Sequence, residues 1–364
     1  MRLRAALVLI AALLAGCAGG NSSTSAVPSG LGAMQRFTTS AAIHAAPVYV
    51  SFGNNPDPNT NPVPILGDTG TQLPTLWKKI KPQSPDLLAL DPSGDLFVLE
   101  YTGTTSTLSY AVGEYSSWGR ALLRTIPVSG ANQLVSGMAT DGSGNLYVLV
   151  VSPDKGISQA VQIYAPGSTT PSESIPVTNN PLAMTVASNG TVFLPALNGS
   201  TEHVDVAVYP AGSTTAAYTV DVPYFQSVTA ADSAGNLYAS TRNAVSVYPP
   251  GSTTPSTTIS DGTKIPSSLM LDSKNNLYIA NSDGSISVVA AGGTTPKYRI
   301  PPSESGTPSV SSMAVDPFGN LCTVSTTFTK GGTIFACYQA GTAKLIGSRP
   351  YYNASQIVIG PQAK

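Results

Sequence analysis

The chain is poor in charged residues and in histidine. Only 10% of its 364 residues are charged, and the formal net charge is -1. Because no run of lysine or arginine is present, nothing in the sequence indicates a nucleic-acid partner. The two histidines, His44 and His203, are not part of a metal-ligating spacing, and a Gly-x-Ser-x-Gly nucleophile elbow is missing. We therefore expect no resident metal and no cofactor.

Long hydrophobic runs are also absent beyond the N-terminus. Arg2 and Arg4 precede "ALVLIAALLAG", an apolar run of signal-peptide length that is short for a bilayer span. The run ends in Leu-Ala-Gly-Cys17, which resembles a bacterial lipobox, and that resemblance implies lipidation of Cys17. The alternative is an ordinary signal peptide with a chance cysteine. Several acyl chains would hold the mature protein stably on a membrane.

These segments define the predicted domain organisation. We expect a lipoprotein signal peptide at residues 1–16, the lipidated cysteine and a flexible Ser/Gly/Thr-rich tether at 17–40, and a single domain at 41–364. The predicted location is the bacterial cell envelope, on the outer membrane or the cell surface.

One phrase recurs throughout the predicted domain. It reads "LALDPSGDLFVLE", "MATDGSGNLYVLV", "VTAADSAGNLYAS", "LMLDSKNNLYIAN" and "MAVDPFGNLCTVS". Its leucine position recurs every 40 to 50 residues, at Leu96, Leu146, Val192, Leu237, Leu277 and Leu321. A second phrase, such as "VSVYPPGSTTPSTTI", follows each copy. Each unit therefore predicts four short strands, which is typical of a β-propeller blade in an all-β protein.

The ends of the chain carry one further unit in two pieces. "SQIVIGP" near the C-terminus resembles an innermost strand, and "PVYVSFGN" near the N-terminus resembles a second strand with no first strand before it. We therefore predict seven four-stranded blades, with one blade closed by the N- and C-terminal strands. A six-bladed ring with loose ends is the alternative. Either ring is expected to be a monomer.

Hairpin register predicts which residues of strands two and three face each other. If Tyr238 faces Val247, the midpoint falls on turn residues, and the same rule holds for two other units. Cys322 and Cys337 occupy the equivalent opposed positions, at a separation that a disulfide needs. A Cys322–Cys337 bridge is the prediction, and two buried free thiols are the alternative.

The inner-strand phrase resembles the NHL repeat, Pro-x-Gly-Ile-Ala-Val-Asp followed by Gly-Asn-Leu-Tyr. Its pieces stand at Pro85…Asp91, Gly137…Asp141, Pro181…Val186 and Pro266…Asp272, with "GNLY" at Gly144–Tyr147 and Gly235–Tyr238. The glycine is often replaced, and the charged hairpin of the family is missing. The family includes enzymes, lyases and binding modules, so the resemblance implies a fold and not a function.

Recurrent polar residues of the repeat have a structural interpretation. Asp91, Asp141, Asp232, Asp272 and Asp316 recur once per unit at a turn, so they are spread around the ring and do not converge on one cation. Recurrent tyrosines such as Tyr164, Tyr209 and Tyr248 are interpreted as packing residues. His203 is interpreted as an exposed loop residue.

The candidate binding site is the channel mouth, where the inner strands begin. Hydroxyl groups and one carboxylate recur there, with amide and ammonium groups on neighbouring loops. The candidate residues are Asp86, Ser136, Asn180, Gln226, Ser227, Lys264, Ser267, Ser311 and Ser355. The alternative is that serine is small enough for a crowded axis. Polar groups converging at a channel mouth are suited to holding a sugar or a peptide.

The sequence therefore predicts a non-catalytic envelope lipoprotein that binds an envelope protein or a glycan. The alternative function is a metal-dependent lactonase or hydrolase, because gluconolactonase-like propellers resemble this chain in fold class and hold a divalent metal in the channel. Asp86 is the single acid of the predicted mouth, and one isolated carboxylate is a poor metal site. A third hypothesis is a surface structural protein that carries glycans on its "GSTTP" turns.

Overall fold

A computed structural model describes residues 46–52, 63–68, 75–80, 85–102, 109–128, 133–152, 159–177, 180–224, 228–260, 262, 265–302, 309–327, 332–351 and 354–361. All of these residues belong to one compact unit, Gln35–Lys364. The predicted boundaries at residues 16 and 40 lie outside the described residues. Within the described part of the chain, no helix combines the length and the apolar character needed to cross a membrane.

The described residues form four-stranded antiparallel sheets, each of which is one blade. Blades 2 to 4 follow chain order. Blade 2 has β4 (Pro85–Leu90), β5 (Leu96–Thr102), β6 (Ser109–Tyr115) and β7 (Leu122–Pro127); blade 3 has β8 (Leu134–Thr140), β9 (Leu146–Val151), β10 (Gln159–Tyr164) and β11 (Glu173–Val177); blade 4 has β12 (Thr185–Val186), β13 (Val192–Leu197), β14 (Val204–Tyr209) and β15 (Tyr218–Val222).

Blades 5 to 7 repeat this up-and-down order. Blade 5 has β16 (Thr229–Ala231), β17 (Leu237–Ser240), β18 (Ala244–Tyr248) and β19 (Thr257–Ser260); blade 6 has β20 (Pro266–Leu271), β21 (Leu277–Asn281), β22 (Ile286–Val289) and β23 (Tyr298–Ile300); blade 7 has β24 (Ser309–Val315), β25 (Leu321–Thr327), β26 (Gly332–Tyr338) and β27 (Leu345–Tyr351).

Blade 1 is built from both ends of the chain. Its strands are β1 (Ala46–Phe52), β2 (Val63–Asp68), β3 (Thr75–Ile80) and the last strand, β28 (Ala354–Ile359), in the order β28-β1-β2-β3. Tyr49 pairs with Val358 across the antiparallel β1–β28 ladder. The last strand therefore occupies the innermost position of the first blade, and the described residues form seven four-stranded sheets.

The seven innermost strands contact one another in a closed circle. Going round from β28, the order of contact is β4, β8, β12, β16, β20, β24 and then β28 again. The β-propeller prediction is thus confirmed. Because the ring closes through a strand pair and not through a loop, β1 keeps no unpaired inner edge.

The hydrophobic core consists of seven layers, one between each pair of adjacent blades. Each layer combines residues of two neighbouring sheets, as in the layer of Phe97 and Leu99 of blade 2 with Leu146 and Val148 of blade 3. Side chains alternate between the two faces of a strand, so one β-strand supplies the layers on both of its sides. The strands are short, but each blade is covered on both faces because it lies between two of these layers.

The hairpin registers follow the sequence prediction. Tyr238 pairs with Val247, Tyr278 with Val288, and Tyr147 with Ile163. These three register predictions are confirmed.

Cys322 pairs with Cys337 in the same register, and a disulfide joins them. The bridge lies in the core layer between blades 7 and 1, next to Val50, Phe335 and Ile357. It therefore lies at the place where the two ends of the chain meet.

Candidate functional site

The inner strands begin with β-bulges at the predicted channel mouth. The pairing register shifts between Val135 and Gly137 in β8, between Pro266 and Ser268 in β20, and between Val310 and Ser312 in β24. The residue left over in these three strands is Ser136, Ser267 or Ser311. Equivalent shifts occur in β4, across Asp86, and in β28, at Ser355. The recurrent position is thus the extra residue of a bulge, and bulges often aim a side chain out of a ladder.

Several of these serine hydroxyls have partners within the fold. Ser267 donates to the Ala280 carbonyl at 3.2 Å, and Ser311 donates to the Val324 carbonyl at 3.0 Å. Ser355 lies 2.9 Å from the hydroxyl of Ser51. A bulge disrupts the local ladder, and these hydroxyls supply hydrogen bonds to the neighbouring second strand. Serine at this position therefore has a structural reason in addition to any contact with a ligand.

Two bulge serines remain accessible at the mouth. Ser136 and Ser311 are both exposed. Asn180 is exposed on the same end of blade 4, and its Oδ1 accepts a hydrogen bond of 2.9 Å from Gln159. The structure therefore places Ser136, Asn180 and Ser311 at the inner-strand ends of three different blades, with solvent access.

The remaining candidate residues are only partly described. Asp86 is the second residue of β4, and nothing is described of its side chain. Gln226, Ser227, Lys264 and the predicted lipidation site Cys17 lie outside the described residues.

Side-chain hydrogen bonds join the inner strands of adjacent blades. The Gln356 amide of β28 accepts from the Leu88 N–H at 2.7 Å and donates to the Leu88 carbonyl at 3.0 Å. The Ser312 hydroxyl accepts from the Ile357 N–H at 3.1 Å. Gln356 and Ser312 therefore imitate a β-ladder between blades that share no backbone pairing.

Threonines make the same kind of bond elsewhere in the ring. Thr140 donates to the Leu90 carbonyl, and the hydroxyls of Thr185 and Thr229 lie 2.8 Å apart. Four of the seven blade junctions thus carry such bonds among the described residues. This role was not predicted from the sequence, because it depends on the angle between neighbouring blades.

The recurrent aspartates complete their own turns. The Asp141 carboxylate accepts bonds from the Ser143 N–H at 2.9 Å, the Asn145 N–H at 2.9 Å, the Asn145 side-chain amide at 2.8 Å and the Tyr147 hydroxyl at 3.0 Å. Asp232 and Asp272 have the corresponding partners in blades 5 and 6. Each carboxylate is occupied by donors of one turn, which explains why aspartate recurs there.

The tyrosine of this turn is held neutral by its surroundings. Burial, and then the neighbouring Asp141 carboxylate, raise the pKa of Tyr147 well above its usual range. Burial and Asp232 raise the pKa of Tyr238 to about 12 in the same way. A hydroxyl that donates to a carboxylate is stabilised in its protonated form, so these tyrosines act as hydrogen-bond donors.

The other recurrent tyrosines pack between blades. Tyr164 is buried in the layer between blades 2 and 3, where burial raises its pKa to about 12. Its hydroxyl donates to the Gln162 side chain at 2.6 Å. Burial also raises the pKa values of Tyr209 and Tyr248.

Charged pairs are few among the described residues. Glu114 and Arg124 face each other across β6 and β7 and form an ion pair with little exposure. Burial raises the pKa of Glu114, and Arg124 opposes that effect. His203 lies in the β13–β14 hairpin, with its Nδ1 2.8 Å from Asp221. Both partners are accessible, so this pair is a surface contact at the rim of blade 4.

Comparison with known proteins supports the fold. The chain is similar to the β-propeller domain of Cps50 (Swd1) from Myceliophteria thermophila, with a TM-score of 0.52 and 9% identity over 73% of this chain and 85% of that chain. It is also similar to a protein of unknown function from Bacteroides caccae, with a TM-score of 0.50 and 10% identity over 87% of this chain and 99% of that chain. At such identities the likeness concerns the fold alone.

Sequence comparison adds no family to this result. No protein-family model matches the chain, and no curated protein matches it either.

Proposed function

We propose that the chain is a non-catalytic, envelope-anchored lipoprotein whose β-propeller binds a protein or a glycan at the channel mouth. The main support for this proposal is the set of β-bulges at the starts of the inner strands, which leaves Ser136 and Ser311 exposed at one end of the ring. A β-propeller is consistent with a binding module, because it presents polar loop residues on a scaffold that does not need to move.

The rigidity of that scaffold supports the proposal. Hydrogen bonds join inner strands of adjacent blades through the side chains of Gln356, Thr140, Thr185 and Ser312. Polar groups at the mouth therefore keep their spacing. Preorganised polar groups bind with a smaller loss of conformational entropy than mobile ones. The proposed anchor is Cys17, in the lipobox-like Leu-Ala-Gly-Cys, and the repeat is proposed to be of the NHL type.

The mouth is tested by blocking it with bulk. We expect Ser136→Trp and Ser311→Trp in the full-length chain to reduce capture of envelope proteins and glycans on an immobilised chain. Ser174→Trp is the matched control, because Ser174 is also exposed but lies on the outer strand β11. Undiminished capture by both mouth variants would contradict a binding site at the mouth.

The alternative, a metal-dependent hydrolase with its site near Asp86, has its own test. Ligands that bind only the native state raise the melting temperature by mass action. We expect a flat thermal-shift series with Ca²⁺, Mg²⁺, Mn²⁺ and Zn²⁺ against EDTA. A rise with one ion that disappears in Asp86→Asn would instead favour the hydrolase, and lactones and esters would be the substrates to try.

A further inference from the structure

A cleft of about 210 Å³ opens between blades 6 and 7. It lies at the end of the blades opposite the mouth, where the inner strand turns into the second strand; this end is called the turn face. Among the residues lining it are Lys274, Lys297, Tyr298, Phe318 and Gly341. None of these residues belongs to the channel-mouth set.

An equivalent groove elsewhere in the ring is closed by a tyrosine. In the groove between blades 4 and 5, the Gly251 N–H donates to the hydroxyl of Tyr218 at 2.8 Å. Tyr298 and Gly341 occupy the equivalent positions between blades 6 and 7, since each tyrosine follows its own blade's turn glycine by the same six residues. The described residues provide no hydrogen-bond partner for the Tyr298 hydroxyl. The groove between blades 6 and 7 therefore stays open, whereas the groove between blades 4 and 5 is closed.

The turns on either side of the cleft carry unusual residues. The residue two positions after the repeat aspartate is Ser93, Ser143 or Ala234 in three other blades. In blades 6 and 7 it is Lys274 and Phe318. A half-buried phenylalanine has no conformational advantage at a turn, where small polar residues and glycine are preferred. Both exceptions line the same cleft.

The cleft is lined by two lysines, Lys274 and Lys297, and by two aspartates, Asp272 and Asp316. Lys274 and Lys297 are exposed, and neither forms an ion pair with any residue in the described ranges. Asp272 also lines the cleft, but its carboxylate accepts the Lys274 N–H at 2.9 Å, the Asn276 N–H at 2.8 Å and the Asn276 amide at 2.8 Å. The Asp316 carboxylate likewise accepts the Phe318 N–H at 2.9 Å, the Asn320 N–H at 2.7 Å and the Asn320 side-chain amide at 2.7 Å. Both aspartates are thus occupied by donors of their own turns, and the two ammonium groups remain available to an anion.

We propose that this cleft binds a sugar ring that carries an anionic group, either a carboxylate or a phosphate. The Phe318 ring offers an apolar face for a pyranose, the Tyr298 hydroxyl offers a hydrogen bond, and Lys274 and Lys297 offer charge-assisted bonds to the anion. An apolar surface with a few converging polar groups is the usual composition of a small-ligand site. Because the site lies on the turn face, this proposal is independent of the proposed binding site at the channel mouth.

Calorimetric titration of the full-length chain tests the proposal. The probes are tri-galacturonic acid for the carboxylate, glucose 6-phosphate for the phosphate, and neutral galactose oligosaccharides as the uncharged reference. We expect at least one anionic probe to bind, with an affinity that falls as salt is added. We expect no binding of the neutral reference. The stronger anionic probe identifies the group that the lysines recognise.

Three variants assign that binding to the cleft. Replacing both lysines, in Lys274→Gln with Lys297→Gln, should weaken the anionic probe about tenfold or more, because charged contacts are lost. Phe318→Ser, which installs the residue of the sister turns, should weaken it to a similar extent. Tyr298→Phe should weaken it about threefold to tenfold through the lost hydrogen bond.

Tyr218→Phe is the matched control, since it removes the same hydroxyl from the groove that is already closed. It should leave affinity unchanged. Absence of binding by both anionic probes, equal binding of the neutral sugar, or binding that survives the double lysine variant would each overturn the proposal. A circular dichroism melt of every variant separates lost binding from lost folding.

Discussion

At the scale of single residues, the repeat is a repeated hydrogen-bond pattern. Asp141 shows it most completely, because its two carboxylate oxygens accept two backbone N–H groups, one amide and one phenol. The Asn276 and Asn320 side chains extend this pattern, since each also accepts an N–H from the next turn of its blade, at Ala291 or Ala340. One Asp-x-x-x-Asn phrase therefore fixes two turns of a blade.

Removing such a carboxylate should cost stability. Asp141 is only 6% exposed, so Asp141→Ala leaves buried donors without an acceptor. We expect the free energy of unfolding to fall by about 3 kcal/mol, since an unsatisfied buried donor costs about 1–3 kcal/mol. Chemical denaturation measures this.

Asp91→Ala is the comparison for that experiment. Asp91 is more exposed and accepts bonds from the Ser93 hydroxyl and the Asp95 N–H. Its loss should cost about 1 kcal/mol, as for an ordinary hydrogen bond. Equal costs at Asp91 and Asp141 would contradict the role assigned to burial.

The buried Tyr164 should make the stability of the folded chain fall at alkaline pH. Its pKa is raised by burial to about 12 in the folded chain, against about 10 in an unfolded one. Above pH 10 the unfolded chain therefore holds fewer protons than the folded chain, so stability falls as pH rises from about 10 to about 12. Melting temperatures across this range should fall less steeply in Tyr164→Phe than in the wild type. Identical slopes would show that Tyr164 ionises as easily folded as unfolded.

At the scale of strands and hairpins, much of the structure could be predicted from the sequence. The period of the repeat placed the strands, and the turn midpoints placed the pairs Tyr147 with Ile163 and Tyr238 with Val247. These features are local, because a strand, its turn and its partner follow one another in the chain. Hairpin register depends on the turn between the strands and needs no knowledge of neighbouring blades.

The β-bulges and the bonds between blades could not be predicted in this way. The sequence revealed a recurrent serine at Ser267 and Ser311, but a bulge is defined by the partner strand's register and not by a residue type. The bonds from Gln356 to Leu88 depend on how two separate sheets are placed. The cleft of Lys274 and Phe318 likewise requires the packing of two blades.

The β25–β26 hairpin gives a prediction for the disulfide. Cys322→Ala with Cys337→Ala should lower the free energy of unfolding by about 2–3 kcal/mol, since the bridge closes a short loop of sequence separation 15. Thr323→Ala on the same strand is the matched control for a buried hairpin residue without a bridge. A native, unreduced chain whose Cys322 and Cys337 both react with a thiol reagent would contradict the bridge.

At the scale of the whole molecule, the two ends of the chain share one blade. β28 supplies the inner strand of blade 1, and its Gln356 and Ile357 also bond to the inner strands on either side. The layer between blades 7 and 1 further contains Ile357, Val48 and the Cys322–Cys337 bridge. Closure therefore depends on ladder bonds, on side-chain bonds and on core packing at once.

Truncation tests that closure. A chain ending at Tyr351 lacks β28, so it should lose its cooperative melting transition and self-associate through the bare edge of β1. Light scattering and differential scanning calorimetry measure both effects. A chain ending at Pro361 keeps the whole strand and is the control; it should melt as the full chain does. Cooperative melting of the chain ending at Tyr351 would contradict closure by β28.

The ring is proposed to present a binding site at its channel mouth. The most direct measurement is photo-cross-linking in intact cells from an amino acid placed at Ser136, with the same probe at Ser174 on the flank of that blade as reference. We predict a discrete cross-linked product from Ser136 that is absent from Ser174. No product from Ser136, or the same products from both positions, would contradict a binding site at the mouth.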